Sequence, residues 1–435
     1  MKKSYALMIC LLLAPLINAM DEDHNARQQV ADVLNSSSDD PRLQQAEDHF
    51  KRSRYHQACK QYEEAFADGK GSAGDHVNYG ESLLGNGDYI NGFAEREARL
   101  AGMPPLQKPY DGNNPAGKTF LIRCQGDGGL GDTGFFAYRY GPILKKLDTH
   151  IILVSQRPLK KLSEYQEFAD EVITANDPVP AFDYDMYQMS LPHFLSSVGL
   201  EPTSEKTIPS APYMKVPEPI VQEWKEKMDK IDGGKAFRVG FVYRASPLPG
   251  GVLRRYQRDI MLVRLMAAIL SASKWIQLYD LQGPGHRAVP GQEFMELSDQ
   301  RNLGTLDYKD LVDDGMPTPY KVEDAHGAFV DMVAAAKNCD AVVSVDTAGL
   351  NFAAASGANT HGLLPKECDW RWRTQEQCGN KSPWFNSLKL HWQETEGDWT
   401  PALDSLTQSL KQEAAAREWA RRVAHLRQGH NQGNA

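Results

Sequence analysis

The 435-residue chain is long enough for two or three domains, is 41% apolar and 24% charged, and carries a formal charge of −9. That balance excludes a broadly basic nucleic-acid binder and gives no electrostatic reason for adhesion to an anionic membrane. Any anion site therefore has to be local.

Residues 1–19, MKKSYALMICLLLAPLINA, place Lys2 and Lys3 before an apolar stretch from Tyr5 to Ile17 and end on the small Ala19. This is the pattern of a secretory signal, and it predicts export to a periplasm or beyond; if the leader is not functional, the location is cytoplasmic. No later segment reaches the roughly 18 apolar residues of a membrane helix, so no integral span is expected in the mature chain. Loss of the leader removes Cys10 and leaves Cys59, Cys124, Cys339, Cys368 and Cys378. None lies in a CxxC pair, which argues against a structural zinc. Cys368 and Cys378 are close enough in sequence to pair in an oxidising compartment, whereas Cys124 and Cys339 read as buried thiols in strands.

Residues 20–41 are polar, acidic and rich in Ser and Asp, which predicts a disordered leader. From 42 to 104 the pattern is helical. Ala46, Ser53 and Tyr55 recur as Gly80, Gly87 and Tyr89 at a period of 34 residues, which is the tetratricopeptide period. Two such units are too few to stand alone and should pack on the domain C-terminal to them, while offering a surface for a protein partner.

The segment 110–119 satisfies the phosphate-loop expression through Gly112, Gly117, Lys118 and Thr119, but it precedes the apolar run Phe120-Leu121-Ile122. A phosphate loop has to leave a strand and open a helix, so this match is rejected. After that first strand, apolar runs at 150–155 and 171–174 alternate with helical patterns. A second series opens at 237–243 and continues at 275–281 and 340–346. Alternation of this kind predicts an α/β protein with two doubly wound, Rossmann-like parallel domains. The boundaries expected are 105–215 for the first, a linker at 216–235 that holds a short charged helix, 236–402 for the second, and a C-terminal helix and tail at 403–435.

Ligands of such sheets sit beyond the carboxyl ends of the strands, which directs attention to three stretches. The loop QGDGGLGDTG (125–134) comes after the first strand and opens a helix. Its glycines permit close approach of a ligand, with Gly129, Gly131 and Thr133 as acceptor-loop candidates, and Asp132 is either a helix cap or a general base. The stretch VSVDTAGLNFAAASG (343–357) places Asp346 and Thr347 after a strand, with Gly349 and Asn351 in a helix whose first amides suit a diphosphate. The loop 242–259 carries Arg244, Arg254, Arg255 and Arg258, which suit phosphate groups if they face the ligand and are otherwise solvated. Trp370, Trp372 and Trp384 in DWRWR and SPWFN are expected to anchor the C-terminal segment rather than stack on a sugar.

In this order, GKTFLIRCQGDGGLGDTGFFAYRYGPIL, RVGFVYRA, RRYQRDI, LYDLQGPG, AVVSVDTAGLNFAAASGA and CDWRWR with SPWFNSLKLHWQ resemble the tetratricopeptide-containing glycosyltransferases related to the ADP-heptose:lipopolysaccharide heptosyltransferases, over about residues 45–400. The resemblance implies a GT-B fold, with the acceptor mainly on the N-terminal Rossmann-like domain and a nucleotide-diphosphate sugar on the C-terminal one. It implies an inverting, metal-independent transferase without a separate cofactor, the nucleotide sugar being co-substrate. Asp132 would be the base toward a glycan, lipid or protein acceptor, and Asp346 and Thr347 would contact the donor. The chain departs from the family pattern in having Asn351 where relatives have His, Tyr243 and Arg244 where they have Trp and a small residue, and only Gln125 and Asp127 before GLGD. Three readings remain open: a transferase, an exported non-catalytic GT-B scaffold that binds a glycan or protein through its repeats, and an exported effector that meets its donor in another cell.

Overall fold

A computed structural model describes residues 40–202, 212–244, 260, 262–282, 319–322 and 325–432. The leader, the acidic segment up to residue 39, and Arg254, Arg255 and Arg258 lie outside the described residues. The chain divides into two compact units, Met1–Pro209 with Asp369–Arg373, and Ser210–Cys368 with Thr374–Ala435. No described helix is long and apolar enough to cross a membrane.

The first unit begins with helices α1 (Pro41–Lys51), α2 (Tyr55–Ala67), α3 (Ala73–Asn86) and α4 (Tyr89–Glu95), the last running into a 3₁₀ turn, Arg96–Gly102. Local chemistry sets these boundaries. Asp40 caps α1 by accepting from Arg42 N at 2.9 Å with Pro41 in the first turn, and Ser72 and Asp75 form a reciprocal capping box on α3. Ser53 and Gly87 both turn the chain in the left-handed region, with φ of 54° and 92°. Gly80 has no room for a side chain, since a Cβ there would lie 2.8 Å from Gly92 O.

Next in the chain is a four-stranded parallel sheet, built of β1 (Thr119–Arg123), β2 (His150–Val154), β3 (Glu171–Ile173) and β4 (Tyr184–Tyr187) in the order β3-β2-β1-β4. From Leu130 the chain passes through the turn Leu130–Asp132 and a π-helical turn, Thr133–Ala137, into α5 (Tyr138–Lys145). Helices α6 (Lys160–Glu164) and α7 (Leu191–Ser197) come after β2 and β4. Sequence periodicity misses β4 because its centre, Asp185, is polar and yet fully buried. There the carboxylate accepts from Gln107 N at 3.1 Å, Lys108 N at 2.7 Å and Arg123 Nε at 3.0 Å, fastening the entering segment to β1.

The second unit opens with α8 (Glu218–Asp232), a correction to the linker expected at 216–235. Ile220, Val221, Trp224 and Met228 are buried along one face, and Trp224 Nε1 donates to Asp331 Oδ1 at 2.7 Å, so the charged residues are only the outer side of a packed helix. Then come β5 (Phe237–Val242), α9 (Leu262–Leu270), β6 (Ile276–Asp280), β7 (Tyr320–Lys321), α10 (Val330–Ala336), β8 (Ala341–Val345), α11 (Ala348–Ala355), β9 (Thr360–Leu364), β10 (Leu388–Trp392) and α12 (Thr400–Gln432). All strands are parallel, in the order β10-β9-β8-β5-β6-β7. Numbered from β5 as one, this is the 3-2-1-4-5-6 order of a dinucleotide-binding sheet. The start of α12 belongs to this core: Leu403, Leu406 and Leu410 pack with Val239, Phe241, Val343 and Leu363.

The pairing of Cys368 with Cys378 is not made. Neither cysteine is in a disulfide, and Cys378 Sγ donates to Thr374 O at 3.3 Å. Cys124 is buried just after β1, where burial pushes its thiol up; Cys339 lies in the turn before β8 rather than in a strand, and burial raises it to about 12. Trp370, Trp372 and Trp384 are fully buried, so anchoring describes them.

Candidate functional site

In the first unit, strand order reverses about β1, with β2 and β3 on one side and β4 on the other. The loops leaving β1 and β4 therefore meet at the switch point, where a doubly wound sheet binds its ligands. The loop leaving β1 is the glycine-rich stretch. Gln188, just after β4, donates from Nε2 to Asp127 O at 2.5 Å, and Met189 N donates to Asp127 Oδ2 at 2.7 Å. Asp127 is itself buried and faces Arg99 of the 3₁₀ turn at 3.1 Å. Arg99 also donates to Glu97 Oε1 at 2.6 Å, Ser190 Oγ at 2.9 Å and Arg96 O at 3.2 Å. Burial works against the Arg99 charge, but Asp127 and Glu97 outweigh it and hold the guanidinium above its usual range.

On its other flank the loop is held by Gln156, whose Nε2 donates to Gly128 O at 3.0 Å while its Oε1 accepts from Thr133 Oγ1 at 3.1 Å. Thr133 is thus fully buried and supports the loop from behind, which corrects its placement among residues facing an acceptor. Gly128 adopts a φ of 95°, and a Cβ there would lie 2.7 Å from Asp132 Oδ2 and collide with Met189. Gly129 and Gly131 lie on the partly exposed side of the loop.

Asp132 takes the helix-cap role weighed for it. Its Oδ2 accepts from Gly129 N at 2.6 Å, closing the helical turn from inside, and its Oδ1 accepts from Arg371 Nη2. The Arg371 guanidinium carbon lies 5.0 Å from the Phe135 ring centre, 5.5 Å from Phe136 and 5.1 Å from Trp370. Beside it, Arg96 is buried against Phe136 and Trp370, and burial pushes its guanidinium below the usual value, with Glu81 opposing.

In the second unit the order reverses between β5 and β8, so Arg244 after β5 and Asp346-Thr347 after β8 flank the switch point. Thr347 caps α11, its Oγ1 accepting from Leu350 N at 3.4 Å and lying 3.2 Å from Ser344 Oγ. Gly349 permits close packing, because a Cβ would sit 3.0 Å from Val242 Cγ2. Asn351 donates from Nδ2 to Thr347 O at 3.1 Å, and its Oδ1 is buried with no hydrogen-bond partner among the described residues. Asp346 is buried directly after β8. Gln282, just beyond β6, brackets the Arg244 backbone: its Oε1 accepts from Arg244 N and its Nε2 donates to Arg244 O, both at 3.2 Å.

Each unit therefore gathers its own candidates: Asp132, Gly129 and Gly131 in the first, and Arg244, Asp346, Thr347, Gly349 and Asn351 in the second. Residue-by-residue reading missed Arg99, Gln156, Gln188, Gln282 and above all Arg371. Arg371 stands 239 residues from Asp132, and no spacing rule links them.

No family model matches the chain, and no curated protein matches it. Among solved structures it is similar to a glycosyl transferase family 9 protein from Veillonella parvula DSM 2008, at 11% identity over 70% of this chain and 98% of that chain, with a TM-score of 0.46. It is similar to ADP-heptose LPS heptosyltransferase II of E. coli, at 11% identity over 68% of this chain and 98% of that one, TM-score 0.40. A further likeness is to an O-GlcNAc transferase mutant from Thermobaculum terrenum, at 12% identity over 86% and 85% of the two chains, TM-score 0.32.

Proposed function

We propose that the chain is an inverting glycosyltransferase that binds a nucleotide-diphosphate sugar on its second unit and transfers the sugar to a hydroxyl of a glycan, lipid or protein acceptor. The observation that carries this reading is the position of Arg244, Asp346 and Thr347 at the switch point of a sheet with dinucleotide-binding strand order. There the amides of the Thr347-capped helix α11 and the Arg244 cation supply donors to a diphosphate. In the reaction the acceptor oxygen forms its bond to the anomeric carbon as the bond from that carbon to the diphosphate oxygen breaks. The hydroxyl proton passes to Asp132, and the nucleoside diphosphate leaves as an anion stabilised by helix amides and cation.

The test is release of nucleoside diphosphate from ADP-, UDP- and GDP-sugars by the wild type and by Asp132→Asn. Release by the wild type that falls at least a hundredfold in the variant supports the reading. Equal release by both removes Asp132 from the reaction.

A second reading, a non-catalytic scaffold, is favoured by Asn351, an uncharged amide where the resembled family has His. It predicts nucleotide binding without any release.

A further inference from the structure

We propose that Arg371 is the positioning residue of Asp132, held ready by an aromatic cradle; this rests on the reading of Asp132 as the base. The short segment Asp369–Arg373 belongs to the first unit although the chain on both sides of it belongs to the second. It is pinned along its length. Asp369 Oδ1 accepts from Arg371 N at 3.0 Å and Nη1 at 3.1 Å, Trp370 meets Phe93 and Phe135 edge-on at 5.9 Å each, and Arg373 Nη2 donates to Tyr89 OH at 2.7 Å. Phe135 and Phe136 lie three and four positions after Asp132 on the same helical path, so the residues that cradle the guanidinium and the carboxylate it meets move as one piece.

The Asp132 side chain is thus fixed at both oxygens, by Gly129 N–H on one and Arg371 on the other. Each oxygen keeps a lone pair for a hydroxyl donor. The side chain is 21% exposed, so an acceptor can reach it. A guanidinium stacked on planar rings keeps its fork in one orientation, which a lysine ammonium cannot reproduce.

The experiment uses the full chain and whichever donor the wild type hydrolyses or transfers, with Arg371→Ala, Arg371→Lys and Asp132→Asn. Arg371→Ala is expected to lower kcat by about tenfold to a hundredfold with the donor KM within about twofold, because the base is displaced while the donor site is intact. Millimolar guanidinium should restore about a tenth or more of the lost rate by filling the vacated cradle, and Arg371→Lys should fall between wild type and Ala. An Arg371→Ala kcat within about twofold of wild type overturns the proposal. So does a loss that guanidinium does not restore, and if the Ala variant fails to fold, Lys at full activity does the same. An inactive Asp132→Asn beside a fully active Arg371 variant sinks the positioning role alone. A fully active Asp132→Asn, or a wild type that turns over no donor, sinks the proposed function and this inference with it.

Discussion

Asp127→Ala probes the clamp between the helical segment and the glycine-rich loop. In the wild type the buried carboxylate holds Arg99 at 3.1 Å and Met189 N at 2.7 Å. Removing one member of a buried ion pair costs about 3–5 kcal/mol because the other charge is left uncompensated. Here Arg99 keeps Glu97, Ser190 and the Arg96 carbonyl, which pulls the cost to the lower end, while the orphaned Met189 amide adds about 1 kcal/mol. The sum is about 4 kcal/mol, or a fall of roughly 8–16 °C in the unfolding midpoint of a unit of this size. Asp127→Asn, which keeps an acceptor for Met189, should fall about half as far. Scanning calorimetry measures the shift, and hydrogen exchange on peptides from β1 and β5 assigns it to a unit. A midpoint for Asp127→Ala within about 2 °C of wild type would refute the clamp.

Thr347→Val keeps the shape but removes the cap oxygen of α11; it should cost about 1 kcal/mol and weaken nucleoside diphosphate binding about fivefold by calorimetry. Gly128→Ala forces a side chain onto a φ of 95° and against Asp132, so a loss of about 1–3 kcal/mol and at least tenfold slower diphosphate release are expected together. His391, on β10, is buried, its Nε2 3.0 Å from His361 Nδ1 and its Nδ1 2.9 Å from Ser405 Oγ of α12, and burial lowers it from 6.5 to about 3. The unfolded chain binds the proton first. Stability is therefore complete above pH 6.5 and declines as pH falls toward 3, by about 2 kcal/mol between pH 7 and 5. A His391→Gln variant with the same pH slope over that range would contradict this.

The strands that sequence reveals are those with runs of buried apolar residues, such as Phe120-Leu121-Ile122 and Ala341-Val342-Val343. β9 and β10 break that pattern with His361 and His391, which are tolerated inside because they hydrogen-bond each other. In α8 a short charged helix was legible, but its Glu and Lys residues placed it in a linker, although Ile220, Val221, Trp224 and Met228 recur on one face and are buried. The glycine-rich loop and the Asp346-Thr347 turn were legible because backbone geometry and capping are local properties. What fixes Asp132 was not, because its partner arrives from the distant segment Asp369–Arg373, and only the folded chain brings guanidinium, rings and carboxylate together.

The central claim is a diphosphate site at the switch point of the second sheet, and its most direct test is calorimetric titration of the chain with ADP, UDP, GDP and an ADP-sugar, beside Asp346→Ala. The account predicts saturable binding of at least one of them, lost or weakened at least tenfold in Asp346→Ala. A folded chain that binds none of the four, or binds one equally well without the Asp346 carboxylate, would contradict it.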